Sequence, residues 1–202
     1  KVTRRLQSSS GIDNTTYLKM RVSKLNELER ATILIDEIYI AKRVEYTGGE
    51  VQGLTADGEV ASTLLCFMVK SPTSKYKDVV AIYPINKLTA SKLNDCYKEV
   101  SALVRSVSLN IVAISVDNAS VNRKFFTEYL CEGTLKTSII DPVIKQPVFL
   151  IFDPVHDLKN LYNNFQARKF FNCPSFGQNL QDGCHANFQH VVELYNTEAC
   201  MS

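Results

Sequence analysis

Mainly apolar runs of strand length occur at five places along the chain, and they give the first picture of the fold. They are rich in isoleucine, valine, leucine and phenylalanine, which favours buried strands. The five runs cover residues 30–40, 62–71, 78–85, 110–116 and 146–152. Between the first two, residues 43–58 predict a hairpin in which Gly48 and Gly49 supply the turn.

Helical spacing is clearest over residues 89–110. Seven apolar side chains there recur every three or four residues and form a single stripe, as expected for a helix with one buried face. They are Leu93, Cys96, Tyr97, Val100, Leu103, Val104 and Val107.

Three further helices are predicted over residues 13–28, 122–133 and 157–171. The last of these would pack through Leu158, Leu161, Tyr162 and Phe165. Residues 173–187 are polar and contain glycine, so we expect a loop there.

The order of these elements predicts an α/β fold with a mixed sheet. Three antiparallel strands come first, and helices then alternate with parallel strands. This is the element order of an RNase H-like domain, and we expect that domain to be incomplete at its C-terminal end.

Composition narrows the possible functions. Of the 202 residues, 45% are apolar, which is enough for a substantial core, and the net charge of +2 is too small to indicate nucleic-acid binding. No run approaches the roughly 18 apolar residues of a membrane span, so no membrane partner is expected. The six cysteines form no closely spaced pairs, which favours reduced thiols in an intracellular protein.

Two carboxylates at strand ends suggest metal chemistry. Side chains alternate across a strand, so Asp36 shares a face with Leu34 and Ile38, whereas Glu37 points to the other face. Asp117 follows a neighbouring strand at its carboxyl end, where ligands gather in sheets of this kind. Two such carboxylates repel unless a cation lies between them, and Mg²⁺ or Mn²⁺ prefers oxygen ligands. The alternative is an aspartate that caps a turn or pairs with an arginine.

Three motifs, in this order, resemble the catalytic region of P element transposases and their THAP-domain relatives. They are ILIDEIYI, ISVDNASVNRKFF and IFDPVHDLKNLYNNF. The chain departs from the family pattern at Ile38, Asn118, Val121 and Asp157. The change at Asn118 and Val121 alters the turn that places Asp117.

The resemblance implies an RNase H-like nuclease domain of a nuclear, cut-and-paste DNA transposase. Such an enzyme cleaves and joins strands at transposon ends with two metal ions held by Asp, Asp and Glu. Asp36 matches the first acid and Asp117 the second. In the family the glutamate lies beyond a GTP-binding insertion, so we expect neither the glutamate nor a GTP site in these 202 residues. A homo-oligomer is also possible by resemblance.

The resemblance also divides the chain. Residues 1–28 would be a helical lead-in, residues 29–172 the N-terminal part of the RNase H-like domain, and residues 173–202 a loop and the start of the insertion region. Without a third acid, the fragment is expected to be inactive, and an uncovered apolar sheet face would favour a partner.

Seven further residues follow the acid-bearing strands and are candidates to support the metal ligands or to contact DNA: Asn122, Arg123, Lys124, Asp153, His156, Lys159 and Asn160. Ordinary turns and solvated helix faces explain them equally well. A zinc site at Cys173, Cys184, His185 and His190 is disfavoured because the ligand spacing is wrong.

Two other functions remain open. One is a non-catalytic DNA- or protein-binding module that a host has retained from a transposase. The other is an unrelated RNase H-like exonuclease, which would often carry two acids two residues apart on the first strand. The adjacent Asp36 and Glu37 disfavour that second alternative.

Overall fold

The computed structural model describes residues 15–23, 30–168, 170–173 and 184–199. The chain divides into two compact units, one up to Asp153 and the other from Pro154 onward. This division does not test the predicted domain boundaries, which stay predictions.

The described residues of the first unit form a six-stranded sheet, a small hairpin, three α-helices and a π-helical segment. Its elements are, in chain order, α1 (Thr15–Val22), β1 (Arg30–Tyr39), β2 (Glu45–Thr47), β3 (Glu50–Gln52), β4 (Thr63–Lys70), β5 (Lys77–Ile85), α2 (Ala90–Ser106), β6 (Asn110–Val116), α3 (Ser120–Lys124), a π-helical segment (Phe125–Leu130), β7 (Ser138–Ile140) and β8 (Pro147–Phe152).

The strand order in the sheet is β5-β4-β1-β6-β8-β7. β1 pairs with β4, and β4 with β5, in antiparallel fashion, whereas β6 is parallel to both β1 and β8. This confirms the predicted mixed sheet, with three antiparallel strands and then parallel strands separated by helices. The antiparallel edge strand β7 was not predicted, because three residues are too few to show a period.

One face of the sheet is covered by α2. Thr89 caps this helix by accepting a hydrogen bond from the Lys92 backbone N–H (3.2 Å). Leu93, Val100 and Val104 are buried in the same core as Ala31, Ile33 and Ile35 of β1, so the predicted stripe does face the sheet. Every second residue of β1 from Ala31 to Ile35 therefore lies in the core.

The opposite face of the sheet is less enclosed. Leu34, Leu64 and Met68 are only half-buried on it, and on β8 Phe149 and Ile151 are 53% and 41% exposed. The expectation that an apolar face is left uncovered stays a prediction.

The segment after β6 is helical but irregular. Helix α3 begins at Ser120, and from Phe125 to Leu130 its turns widen into a π-helix. Phe125 and Phe126 are fully buried, and their rings lie 5.6 Å from Tyr97 and 5.2 Å from Phe152 respectively. These aromatic contacts fasten the segment to the core.

The predicted hairpin is present as β2 and β3, and Gly48 and Gly49 adopt positive φ angles of 67° and 89° in its turn. The base of the hairpin depends on Gly53, whose φ is +91°. A Cβ at Gly53 would lie 2.0 Å from the carbonyl oxygen of Arg43, so only glycine fits.

A buried ion pair fixes the turn between β7 and β8. Asp141, whose side chain is 2% exposed, accepts a hydrogen bond from Arg105 Nη2 of α2 at 2.6 Å. Its other carboxylate oxygen accepts from the backbone N–H groups of Val143 and Ile144. Burial alone would raise the pKa of Asp141, but these donors and the charge of Arg105 together lower it.

The second unit consists of α4 (Pro154–Arg168), β9 (Phe170–Cys173), β10 (Cys184–Asn187) and α5 (Phe188–Ala199). The loop predicted over residues 173–187 is wrong at Cys173, which ends β9, and at residues 184–187, which pair with β9. Residues 174–183 lie outside the described part. Cross-strand pairing of two four-residue strands leaves almost no period in the sequence.

The predicted packing face of α4 is only partly enclosed. Tyr162 and Phe165 contact the ring of Phe188, but Leu158 and Leu161 are 66% and 46% exposed. Leu158, Leu161, Tyr162 and Phe165 line an apolar cavity of about 220 Å³ together with Ala186. Helix α4 begins at Pro154, which suits the first helical position, so Asp157 lies within the first turn and is not the cap. No helix in the described part of the chain is long and apolar enough to cross a membrane.

Replacing Gly53 by alanine should destabilise the protein more than the same change at Gly58. Gly58 also has a positive φ, +80°, but a Cβ there meets nothing within 4 Å. We expect Gly58→Ala to cost about 1 kcal/mol from the backbone alone, and Gly53→Ala about 2 kcal/mol more because the backbone must also move. Urea unfolding measures both, and equal losses would contradict the close approach.

Asp141→Asn should lower the free energy of unfolding by about 3 kcal/mol at neutral pH. The substitution removes the charge that pairs with Arg105, and it replaces one of two acceptor oxygens by an NH2 group that would face a donor. The matched control is Asp57→Asn in the exposed pair with Lys92, where we expect a change within about 0.5 kcal/mol.

The stability that Asp141 contributes depends on pH. Because the folded pKa of Asp141 is lowered, its contribution is present above its unfolded pKa of about 3.9 and is lost as pH falls through the folded value. The difference between wild type and Asp141→Asn should therefore shrink in acid. A difference that stays constant down to the acid limit would contradict the pair.

Candidate functional site

The two predicted metal-binding aspartates come from adjacent parallel strands. In the β1–β6 ladder Leu34 lies opposite Ser115, and two residues further along each chain lead to Asp36 and Asp117. Neighbouring strands are about 4.8 Å apart, so a continued register brings the two backbones side by side. β6 ends at Val116, which places Asp117 just beyond its carboxyl end.

Asp36 lies on the side of β1 that faces away from α2. Ile33 and Ile35 are buried, whereas Asp36 is exposed, as the predicted alternation requires. Its Oδ1 accepts a hydrogen bond from the backbone N–H of Glu37 at 2.9 Å. Asp36 therefore lies on a central strand but is exposed to solvent. Its carboxylate avoids the desolvation cost that a buried charge would carry.

Asp117 is held by the turn that follows β6. Its Oδ1 accepts hydrogen bonds from the backbone N–H of Ala119 at 2.9 Å and from Nδ2 of Asn122 at 2.5 Å. Asn122 is 7% exposed. The sequence placed Asn122 among candidates to support the ligands or to contact DNA, and the structure brings it against Asp117.

Glu37 is electrostatically coupled to the two aspartates. Its partial burial raises its pKa, and the charges of Asp117 and then Asp36 raise it further. The sequence analysis separated Glu37 from Asp36 because adjacent residues point to opposite faces. At the end of the sheet, however, the negative charge of Asp117 reaches Glu37 more strongly than that of Asp36 does.

Cys66 is a site neighbour that sequence reasoning missed. It lies directly opposite Asp36 in the β1–β4 ladder, so the two side chains share a face with Cβ atoms roughly 5 Å apart. Burial raises the pKa of the Cys66 thiol, and the charge of Asp36 adds to the effect. Only the register of the β1–β4 pair identifies this neighbour, and the intervening hairpin hides that register in the sequence.

The remaining candidates fall into two groups. Arg123 and Lys124 are exposed on α3, where Lys124 lies 3.7 Å from Glu128, and the Asp153 backbone N–H donates to Val116 at 2.8 Å. His156, Lys159 and Asn160 belong to α4 in the second unit. All three are exposed.

The donors fit a hard divalent cation. Among the described residues, no group of three or more His, Cys, Asp or Glu side chains is arranged to hold a metal. Mg²⁺ does not need such a group, since it is commonly bound by one or two carboxylates, by water and by substrate phosphates. The carboxylates of Asp36 and Asp117 are donors of this kind.

A model of the family described as TNP-like, RNase H N-terminal domain matches residues 11–130. No curated protein matches the chain.

Among solved structures, the chain resembles the Drosophila P element transposase in its strand transfer complex, with a TM-score of 0.64 and 18% identity. The likeness covers 90% of this chain and 38% of that one, and it confirms the RNase H-like fold. A pre-cleavage Mos1 transpososome matches 79% of this chain and 54% of its own at 11% identity, but its TM-score of 0.23 supports no argument.

The electrostatic coupling can be tested with carboxyl-to-amide variants. Asp117→Asn should lower the pKa of Glu37 more than Asp36→Asn does, because Asp117 is the larger charge effect. Burial persists in both variants, so neither should return the pKa of Glu37 to its ordinary value. Carbon-13 shifts of the Glu37 carboxyl group against pH report this directly. A larger drop with Asp36→Asn would place Glu37 nearer to Asp36 and contradict the arrangement.

Proposed function

Because the chain belongs to the TNP-like, RNase H N-terminal domain family, we propose that it supplies two of the metal-binding acids of a DNA transposase. The family and the fold support a transposase catalytic core. Metal-dependent strand cleavage and transfer by Asp36 and Asp117 is the proposal. The observation that carries it is the β1–β6 register, which leads two carboxylates to the same end of adjacent strands.

The chemistry follows from the charges. Mg²⁺ or Mn²⁺ between Asp36 and Asp117 would offset the repulsion of the carboxylates and polarise a phosphodiester. The protein's part is to orient these two oxygens at the exposed end of the sheet. The resemblance assigns a third acid, a glutamate, to a segment outside these 202 residues. We therefore expect this chain alone to bind the cation without cutting DNA.

DNA is the proposed partner. Arg123 and Lys124 are exposed on α3, six and seven residues after Asp117, where they could meet phosphates that flank the reacting one. The chain spans 38% of the P element transposase chain that it resembles, so recognition of transposon ends, a homo-oligomer and a nuclear location are proposals by resemblance.

Metal binding is the first test. Mn²⁺ titrated into the purified chain, followed by calorimetry or by electron paramagnetic resonance, should bind to wild type and be lost in Asp36→Asn and Asp117→Asn. Each substitution removes a carboxylate ligand, so we expect at least a tenfold loss of affinity. Asp95→Asn on the exposed face of α2 is the matched control and should bind as wild type does.

Two outcomes would redirect the proposal. If wild type takes up no Mn²⁺ while still binding DNA, the domain is a non-catalytic binding module, the alternative left open by the sequence. If Asp36→Asn and Asp117→Asn bind as tightly as wild type, the cation lies elsewhere and these two residues are not its ligands.

A further inference from the structure

The two carboxylate oxygens of Asp117 differ in their hydrogen bonds. Both hydrogen bonds from Ala119 and Asn122 go to Oδ1. A carboxylate with one oxygen engaged twice cannot rotate freely about its last bond, because rotation would break two hydrogen bonds to a charged group. Oδ2 is thereby given a fixed direction.

Asn122 is well suited to this role. It is buried, and a carboxylate only accepts hydrogen bonds, so the amide nitrogen must be the atom that faces Asp117. The side chain stands on α3, directly ahead of the π-helical segment whose Phe125 and Phe126 are locked in the core. The donor is therefore carried by a rigid part of the fold.

We propose that Asn122 and the Ala119 N–H are positioning groups that make Asp117 a one-oxygen ligand, through Oδ2, and so select Mg²⁺ or Mn²⁺ against Ca²⁺. This rests on the proposed function, since it concerns the same cation.

The selectivity follows from coordination geometry. Mg²⁺ requires a nearly regular octahedron, which a single carboxylate oxygen in a fixed direction satisfies. Ca²⁺ accepts more ligands in irregular arrangements and often takes both oxygens of one carboxylate. An Asp117 that is free to turn could present both oxygens and would favour the larger ion.

Two variants remove one donor each. Asn122→Leu keeps the branching and the number of side-chain heavy atoms without the amide. Ala119→Pro removes the backbone N–H that reaches Asp117, and the φ of Ala119, −68°, already suits proline. Ser120→Ala is the control, because it changes an exposed neighbour in the same turn that makes no hydrogen bond to Asp117.

The readout is the affinity of the purified chain for Mn²⁺ and for Ca²⁺, measured separately by calorimetry. Loss of a hydrogen bond to a metal ligand commonly lowers metal affinity by about 10–100-fold. We expect Asn122→Leu to weaken Mn²⁺ binding by about tenfold or more and Ca²⁺ binding by less, so that the ratio of the two affinities falls. Ala119→Pro should shift the ratio in the same direction, and Ser120→Ala should leave it unchanged.

An equal loss for both ions would overturn the inference, because it would mean that the donors only support the fold. An unchanged ratio in Ala119→Pro overturns it as well, and this variant decides if Asn122→Leu does not fold. The proposed function can fail separately. If wild type binds no Mn²⁺, both proposals fall. If Asp117→Asn abolishes Mn²⁺ binding but the ratio of Mn²⁺ to Ca²⁺ affinity is unchanged in Asn122→Leu and Ala119→Pro, only the positioning role falls.

Discussion

The parallel pairing of β1 with β6 is the interaction on which the rest of the first unit depends. It joins the antiparallel half of the sheet, β5-β4-β1, to the parallel half, and it sets which residues stand side by side where the two strands end. A charge is costly in a core but not at the rim of a sheet. The pairing meets both demands, because the same strand buries Ile33 and Ile35 and exposes Asp36.

The turn after β6 fixes the orientation of the Asp117 side chain. A central strand delivers Asp117 to the rim, but a strand end by itself leaves the side chain free to choose among rotamers. The hydrogen bonds to Oδ1 remove that choice, and the aromatic contacts of Phe125 and Phe126 keep the donor helix in place. The packing of Phe125 and Phe126 thus holds the Asn122 amide in place. The amide in turn orients the Asp117 carboxylate that is proposed to bind the cation.

Much of this arrangement could be read from the sequence, and the limits have physical causes. Asp36 could be assigned to the face opposite Glu37 because strand alternation is strictly local, and the stripe on α2 was predictable because a long helix repeats its period many times. Cys66 was missed because its pairing with Asp36 depends on the length of the intervening hairpin. The coupling of Glu37 to Asp117 was missed because Coulomb interactions at a strand end act across faces.

The π-helical segment carries a consequence for how such a sequence can vary over evolutionary time. Each residue of a regular helix turns the chain by about 100°, so losing or gaining one residue between Asn122 and the buried pair Phe125 and Phe126 would swing the amide away from Asp117. Substitutions between Asn122 and Phe126 can be tolerated if the buried volume and the Asn122 amide are kept. A single-codon insertion or deletion there would break the hydrogen bond between Asn122 and Asp117. The length of the stretch, more than its composition, is what selection would have to hold constant.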